Sequence, residues 1–321
     1  MSAGVLLVGL GQIGMGYDLD LDPRQHVYSH ARAFTEHPAF HLLAAVEPDP
    51  GRRDLFAQRF ARPVYPDIEA ALARHRPEVV TVATPTPQHA AAVRSVLEVA
   101  APAAILCEKP LADDIGEARG IVQACAAQGV GLCVNYMRRA DPGVIEVRRR
   151  LDDGEIGTPV KGVAWYSKGF RHNGSHFFNM AQYWLGPMER FDVLEAGRSL
   201  EGADAEPDVR VVFARGTLVF LAAREEHFSH YTVELVAPNG RLRYDQRGAL
   251  IEWHAAGPDP DFRGYSVLSP DAESLPSGRA RYQWHVAAQL AAHLDGRPAH
   301  LCSGAEALVT LESMQRIMES R

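Results

Sequence analysis

Val5-Leu6-Leu7-Val8-Gly9-Leu10-Gly11-Gln12-Ile13-Gly14 sets four apolar residues ahead of three glycines spaced Gly-x-Gly-x-x-Gly. The apolar run reads as a strand buried on both faces. The glycines allow a tight turn and bring backbone amides close to a pyrophosphate at a helix N-terminus. Alone the pattern is weak, because a glycine turn also serves simply to pack helix on strand. The next hundred residues strengthen the dinucleotide reading. Strand-like runs at Leu42–Val46, Val79–Ala83, Ala104–Cys107 and Gly131–Val134 alternate with helix-like Gly51–Phe60, Ile68–His75, Gln88–Ala100 and Asp113–Gln128. Alternation on that scale specifies right-handed β-α-β units and a doubly wound parallel sheet. The fold class is therefore α/β, with a Rossmann dinucleotide-binding domain expected over residues 1–135. Gly9, Gly11, Gln12, Ile13 and Gly14 are its expected phosphate cradle.

After about residue 135 the alternation stops. Pro142–Asp152 reads as one connecting helix. Beyond Pro159 come strands with period-two character at Val209–Phe213, Thr217–Ala222, Tyr231–Val236 and Arg241–Tyr244, with Asn239-Gly240 as a hairpin signal between the last two. Helical patterns remain at Phe177–Leu185, Tyr282–Leu294 and Ala305–Met318, and Gly257–Pro276 reads as an irregular loop. Residues 136–321 are thus expected to form an α+β domain with an open, mostly antiparallel sheet.

At 321 residues, 46% hydrophobic and 23% charged, the chain has the composition of a soluble globular protein with room for two domains. A net charge of −7 argues against a nucleic-acid surface, which needs a basic face. No apolar stretch approaches a membrane span, and Met1-Ser2-Ala3-Gly4 enters a strand without a secretory signal. Cys107, Cys125, Cys133 and Cys302 show no C-x-x-C spacing. A reduced, cytoplasmic setting is expected, with neither nucleic acid nor membrane as partner.

The second strand ends at Val46-Glu47-Pro48-Asp49, where an acid accepts from the adenosine ribose hydroxyls. Glu47 lies 33 residues after Gly14, against the usual spacing of about 20. The polar segment Tyr17–His26 accounts for the excess as an inserted loop near the cofactor or the pocket mouth. An acid at position 47 repels a 2′-phosphate and favours NAD, while Arg52 and Arg53 keep NADP open. Thr84-Pro85-Thr86-Pro87-Gln88-His89 closes a later strand and is placed to line the nicotinamide side, or to start a helix with Thr86 as cap.

Glu108-Lys109-Pro110 ends the apolar run Ala103–Cys107. Ligands bind at the carboxyl ends of such strands, so Lys109 is a candidate proton donor and acceptor beside the cofactor. His172-Asn173-Gly174-Ser175-His176 precedes an amphipathic helix. Two histidines four apart suit a metal, but Gly174 weakens the helix between them and no third ligand is obvious, so no metal is expected. Helix capping and packing is the plainer role. The favoured one is a polar cluster orienting a hydroxylated substrate against Lys109. His26, His30, His37 and His41 read as surface or packing residues, and Arg148-Arg149-Arg150 as a solvated helix face. Arg138 and Arg139 are closer to the expected cleft, within reach of an anionic substrate group.

Together these motifs resemble the glucose–fructose oxidoreductase/inositol dehydrogenase family, Gfo/Idh/MocA. The matching pieces are Gly9-x-Gly11-x-x-Gly14, Thr84-Pro85-x-x-x-His89, Glu108-Lys109-Pro110, Asn135-Tyr136-Met137-Arg138-Arg139, Gly154-Glu155-Ile156-Gly157 and Gly174-x-His176, in family order up to about residue 186. The resemblance implies NAD(P)-dependent hydride transfer at a carbinol or carbonyl carbon of a sugar, cyclitol or nucleotide sugar. It implies Lys109 as acid/base, His176 and His172 as substrate or relay residues, and Thr84, Pro85, His89 and Glu108 beside the cofactor. Tyr136, Arg138 and Asn173 would join the substrate side, and one face of the second sheet would join subunits into a dimer or tetramer. The family's second signature reads D-x-G-x-H-x-x-D, where this chain has His172-x-Gly174-x-His176-x-x-Asn179. Loss of both acids leaves a second expectation open, a non-catalytic NAD(P)-binding sensor of the same fold.

Overall fold

The computed structural model describes residues 2–199 and 204–321. The chain divides into two compact units, Met1–Ala140 with Ala280–Val309, and Asp141–Arg279 with Thr310–Arg321.

The first unit runs β1 Ala3–Val8, α1 His30–Glu36, β2 Phe40–Val46, α2 Pro50–Phe60, β3 Val64–Tyr65, α3 Ile68–Leu72, β4 Val79–Val82, α4 His89–Val99, β5 Ala104–Cys107, α5 Ile115–Ala127 and β6 Gly131–Val134. Its sheet has the order β3-β2-β1-β4-β5-β6, the doubly wound arrangement read from the sequence. The unbroken apolar runs are the strands at the centre of the sheet, and every residue of β4 and β5 is buried. Side-chain caps start α1, α2, α3 and α5, but not α4. Ser29 accepts from the Arg32 amide at α1, Asp49 from Arg52 at α2, Asp67 from Ala70 at α3 and Asp114 from Glu117 at α5.

The second unit begins with α6 Pro142–Asp152, β7 Val160–Tyr166, α7 Ser175–Leu185, β8 Met188–Ser199, β9 Ala205–Phe213, β10 Gly216–Ala222, β11 Thr232–Ala237 and β12 Gly240–Asp245. It continues through β13 Leu250–Pro258, β14 Ser266–Leu268 and β15 Glu273–Ser274. The sheet order is β14-β13-β12-β11-β7-β10-β9-β8, with β15 beside β13. Every neighbouring pair is antiparallel except β7 with β10. Phe170, Phe177, Phe178, Trp184, Phe213 and Phe220 fill the core between this sheet and its helices. The β11–β12 hairpin turns at Pro238-Asn239, one residue before the expected Asn239-Gly240, since Ala237 already faces Gly240. Gly257–Pro276 is largely irregular but holds β14 and β15.

Two late segments, α8 Tyr282–Leu294 and β16 Cys302–Ser303, belong to the first unit. β16 pairs antiparallel with β6, and Val286, Ala287, Leu290 and Ala291 of α8 enter the first unit's core. The last helix, α9 Gly304–Glu319, contains the division between the units. No helix of the described residues is long and apolar enough to cross a membrane.

Candidate active site

The strand order of the first unit reverses between β1 and β4, which opens a crevice at their carboxyl ends. Gly9 turns the chain there with φ +98°, and a Cβ on it would lie 2.7 Å from the Ala83 carbonyl oxygen and 2.8 Å from the Thr84 nitrogen. Only glycine combines that dihedral with that approach. A Cβ on Gly14 would meet the Gly9 oxygen at 2.1 Å, whereas one on Gly11 meets nothing. Gly9 and Gly14 therefore serve packing, and Gly11 faces open space. Among the described residues, the amides of Gly11, Gln12, Ile13 and Gly14 donate to no protein acceptor. Four amides at a helix start are what an anionic pyrophosphate requires, so the cradle fits a dinucleotide.

The helix after this turn is interrupted. Met15 donates to the Gly11 carbonyl in a first turn, and the chain then leaves the helix. It rejoins where His30 donates to the Ile13 carbonyl at 3.0 Å and Ala31 to Gly14 at 2.9 Å. These partners are seventeen residues apart in sequence, where a continuous helix joins residues four apart. Thirteen residues are thus looped out between Met15 and Ser29, and without them the interval from Gly14 to Glu47 falls from thirty-three to the usual twenty or so.

Glu47 is buried at the end of β2. One carboxylate oxygen accepts from the Leu10 amide at 2.8 Å and the other from Asp49 at 3.1 Å. Each keeps a lone pair for a further donor. Arg52 stands 3.9 Å from Glu47, while Arg53 donates to the Glu47 and Pro48 carbonyls. Of the two arginines weighed for a 2′-phosphate, only Arg52 lines the crevice. Gly9, Gly11, Gln12, Ile13, Tyr17, Glu47, Thr84, Pro85 and Gln88 line it too, around about 470 Å³. His89 is elsewhere: it is buried, with Nδ1 at 3.0 Å from the Pro110 carbonyl and Nε2 at 2.9 Å from that of Thr84. It ties the Thr84 turn to the Glu108-Lys109-Pro110 exit.

Glu108 is an anchor as well, largely shielded from solvent. His30 Nε2 lies 2.7 Å from its Oε1, and Asn135 Nδ2 donates to the same oxygen at 2.6 Å and to Gln283 Oε1 at 3.3 Å. Burial pushes the Glu108 carboxyl up, but the hydrogen bond and charge of His30, the Asn135 bond and the neighbouring Lys109 outweigh it and hold the group below the ordinary glutamate value. Lys109, half-buried, follows directly. Tyr136 is buried, and Arg139 does not meet the crevice: it pairs with Glu306 at 2.8 Å. His30, Asn135 and Gln283 were not legible as site residues, because three distant segments supply them.

In the second unit the stretch ahead of α7 is a π-helical turn, Gly169–Gly174, a form common at functional sites. Asp204 holds it by accepting from the Arg171 amide at 2.9 Å and the His172 amide at 2.8 Å, and Glu206 accepts from Gly169 at 3.0 Å. His172 is exposed and His176 is 6% exposed, so the two histidines do not share an open face. Asn173 donates to the Tyr231 hydroxyl at 2.8 Å, and Phe177 stacks on Tyr231. Tyr231 in turn lines a polar hollow of about 330 Å³ with His230, Gln246, Arg247 and Arg279. Asn179, at the family's second acid position, donates to Thr310 at 3.0 Å in the packing against α9. Among the described residues, no group of three His, Cys, Asp or Glu side chains is placed to hold a metal ion.

Comparison with known proteins agrees with the first unit. A model described as an oxidoreductase family with an NAD-binding Rossmann fold, Gfo/Idh/MocA, matches residues 4–136. Residues 4–136 belong to the Gfo/Idh/MocA family. D-apiose dehydrogenase of Paraburkholderia graminis is 33% identical over 172 residues, 53% of this chain and 43% of that protein. The chain thus spans under half the length of this Gfo/Idh/MocA relative. Myo-inositol dehydrogenase Hyg17 of Streptomyces leeuwenhoekii is 28% identical over 284 residues, 81% of this chain and 82% of its own length. An NAD binding oxidoreductase from Klebsiella pneumoniae has the same fold, with TM-score 0.79 at 18% identity, covering 100% of this chain and 98% of that one.

Proposed function

We propose that this chain is an NAD(P)-dependent dehydrogenase or reductase that moves hydride to or from a carbinol or carbonyl carbon of a sugar, cyclitol or nucleotide sugar. The observation that carries the reading is Lys109, following a carboxylate fixed by His30 and Asn135, in a unit whose glycine turn offers four amides to a pyrophosphate. The names of the relatives, an apiose and an inositol dehydrogenase, support a polyol-like substrate. When bound, the nicotinamide supplies the hydride chemistry. The amides of Gly11–Gly14 bind the pyrophosphate, and Glu47 accepts from a ribose hydroxyl. Glu108, anchored by two donors, fixes the backbone from which Lys109 extends. Lys109 takes the hydroxyl proton at Nζ in oxidation and returns it in reduction. His176 and His172 hold neighbouring hydroxyls or pass the proton on, with Tyr136, Arg138 and Asn173 contacting the rest of the substrate.

The test is Lys109→Met, assayed by nicotinamide fluorescence for binding and by turnover across a panel of sugars and cyclitols. Retained binding with turnover reduced by about 10²-fold or more is expected for loss of an acid/base; unchanged turnover refutes the assignment. Wild-type binding with no turnover on any candidate favours the sensor reading.

A second copy of the chain is proposed on the open face of the nine-stranded sheet. Val163 faces Val219, and Trp165 faces Leu221, on rows that alternate with the buried core residues. Light scattering on the purified protein tests this, and a monomer at micromolar concentration counts against it.

A further inference from the structure

We infer that Tyr17, carried by the thirteen-residue loop inserted in the first helix, closes over the adenosine end of the bound dinucleotide. This rests on reading the crevice as a dinucleotide site. Tyr17 lines that crevice together with Gln12, Glu47 and Arg52, and 54% of its surface is open. A large ring left open beside an apolar and polar hollow is the unusual observation, since such rings are ordinarily covered.

The ring is open but its backbone is held. The next residue, Asp18, is 1% exposed and accepts from the Tyr28 amide at 2.6 Å, the Ser29 amide at 2.9 Å and the Ser29 hydroxyl at 2.6 Å. Arg32 Nε stands 3.3 Å from the same carboxylate. At its far end the loop is fixed by Val27, whose amide donates to Ala280 and whose carbonyl accepts from Gln283. Tyr17 itself donates its amide to the Gln12 carbonyl, inside the phosphate turn. A ring positioned before its ligand arrives loses little freedom on binding.

Its side of the crevice follows from the lining it shares with Glu47, Pro48 and Arg52, and Asp20 of the same loop pairs with Arg59 at 3.1 Å. Arg59 lies in the last turn of α2, so that pair fixes the loop along the helix, while Tyr17 shares the crevice wall with Glu47 and Arg52 at the ribose-binding strand end. A phenol ring there stacks on a base or covers a ribose face.

The test measures binding, with NADH and ADP-ribose as probes, by fluorescence and calorimetry on wild type, Tyr17→Ala and Tyr17→Phe. Stacking on a base is worth enough that Tyr17→Ala should weaken both ligands by about tenfold, while Tyr17→Phe stays close to wild type. Equal affinity in wild type and Tyr17→Ala overturns the inference. A loss for NADH without a loss for ADP-ribose overturns the adenosine assignment. Wild type failing to bind NADH overturns the cofactor reading itself, a separate result.

Discussion

Replacing His30 by Leu removes the donor on Glu108 while keeping a side chain of comparable bulk. His30 is 1% exposed and its Nε2 lies 2.7 Å from a carboxylate with 12% side-chain exposure, so no solvent replaces the lost bond. A hydrogen bond to a charged group contributes about 1.5–3 kcal/mol. Asn135 remains on the same oxygen and Lys109 remains nearby, which keeps the cost near the middle, about 2 kcal/mol. For a unit of this size that is a fall in Tm of about 4–8 °C. The pH dependence gives a second reading. A carboxyl held below its ordinary 4.5 stabilises the fold above that pH, and the contribution fades as pH falls from there through the lowered value. In His30→Leu the carboxyl is held less far down, so stability should change less between pH 6 and pH 4. Calorimetry on wild type, His30→Leu, Glu108→Gln and the double variant measures both. A Tm within about 1 °C of wild type, or coupling under about 0.5 kcal/mol in the double-mutant cycle, refutes the reasoning.

Gly9→Ala forces a left-handed backbone and drives a methyl into the Ala83–Thr84 backbone, so NADH affinity should fall by at least about 100-fold or the protein should fail to fold, read by fluorescence titration and circular dichroism. Glu47→Ser removes the anion beside Arg52 and should shift preference toward NADPH, about tenfold in the ratio of dissociation constants. Asp204→Ala strips two acceptors from the Gly169–Gly174 turn, and KM for substrate should rise more than kcat falls. Burial pushes the Cys107 thiol well above its ordinary value, Cys125 up to about 11 and Cys133 up to about 12. With all four cysteines buried, a thiol reagent at pH 8 should react slowly with native protein and promptly once urea unfolds it.

Most of the first sheet was legible because strands buried on both faces are short unbroken apolar runs, and Ala104–Cys107 and Gly131–Val134 coincide with their expected limits. The insertion was legible as a spacing error at Glu47, but its place inside a helix needed the bonds from His30 and Ala31. β8 escaped notice because its side chains are mostly exposed and show little alternation. β3 and β16, with two residues each, carry no periodicity at all. At the crevice, local motifs pointed to Glu47 and the glycine turn, which line it. His30 on Glu108 and Asp204 under His172 are contacts between segments 78 and 32 residues apart, and no local pattern announces them.

The return of the chain to its first sheet has a practical meaning for anyone dividing this protein. A fragment ending near residue 135 keeps every strand that names the fold, yet it lacks β16 and α8. Its β6 would present a bare row of amides and carbonyls, and the apolar patch left by Val286, Leu290 and Ala291 would face water. Such an edge recruits other strands. The severed cofactor domain should therefore aggregate when expressed alone, and recover if residues 280–309 are grafted back or supplied as a separate peptide.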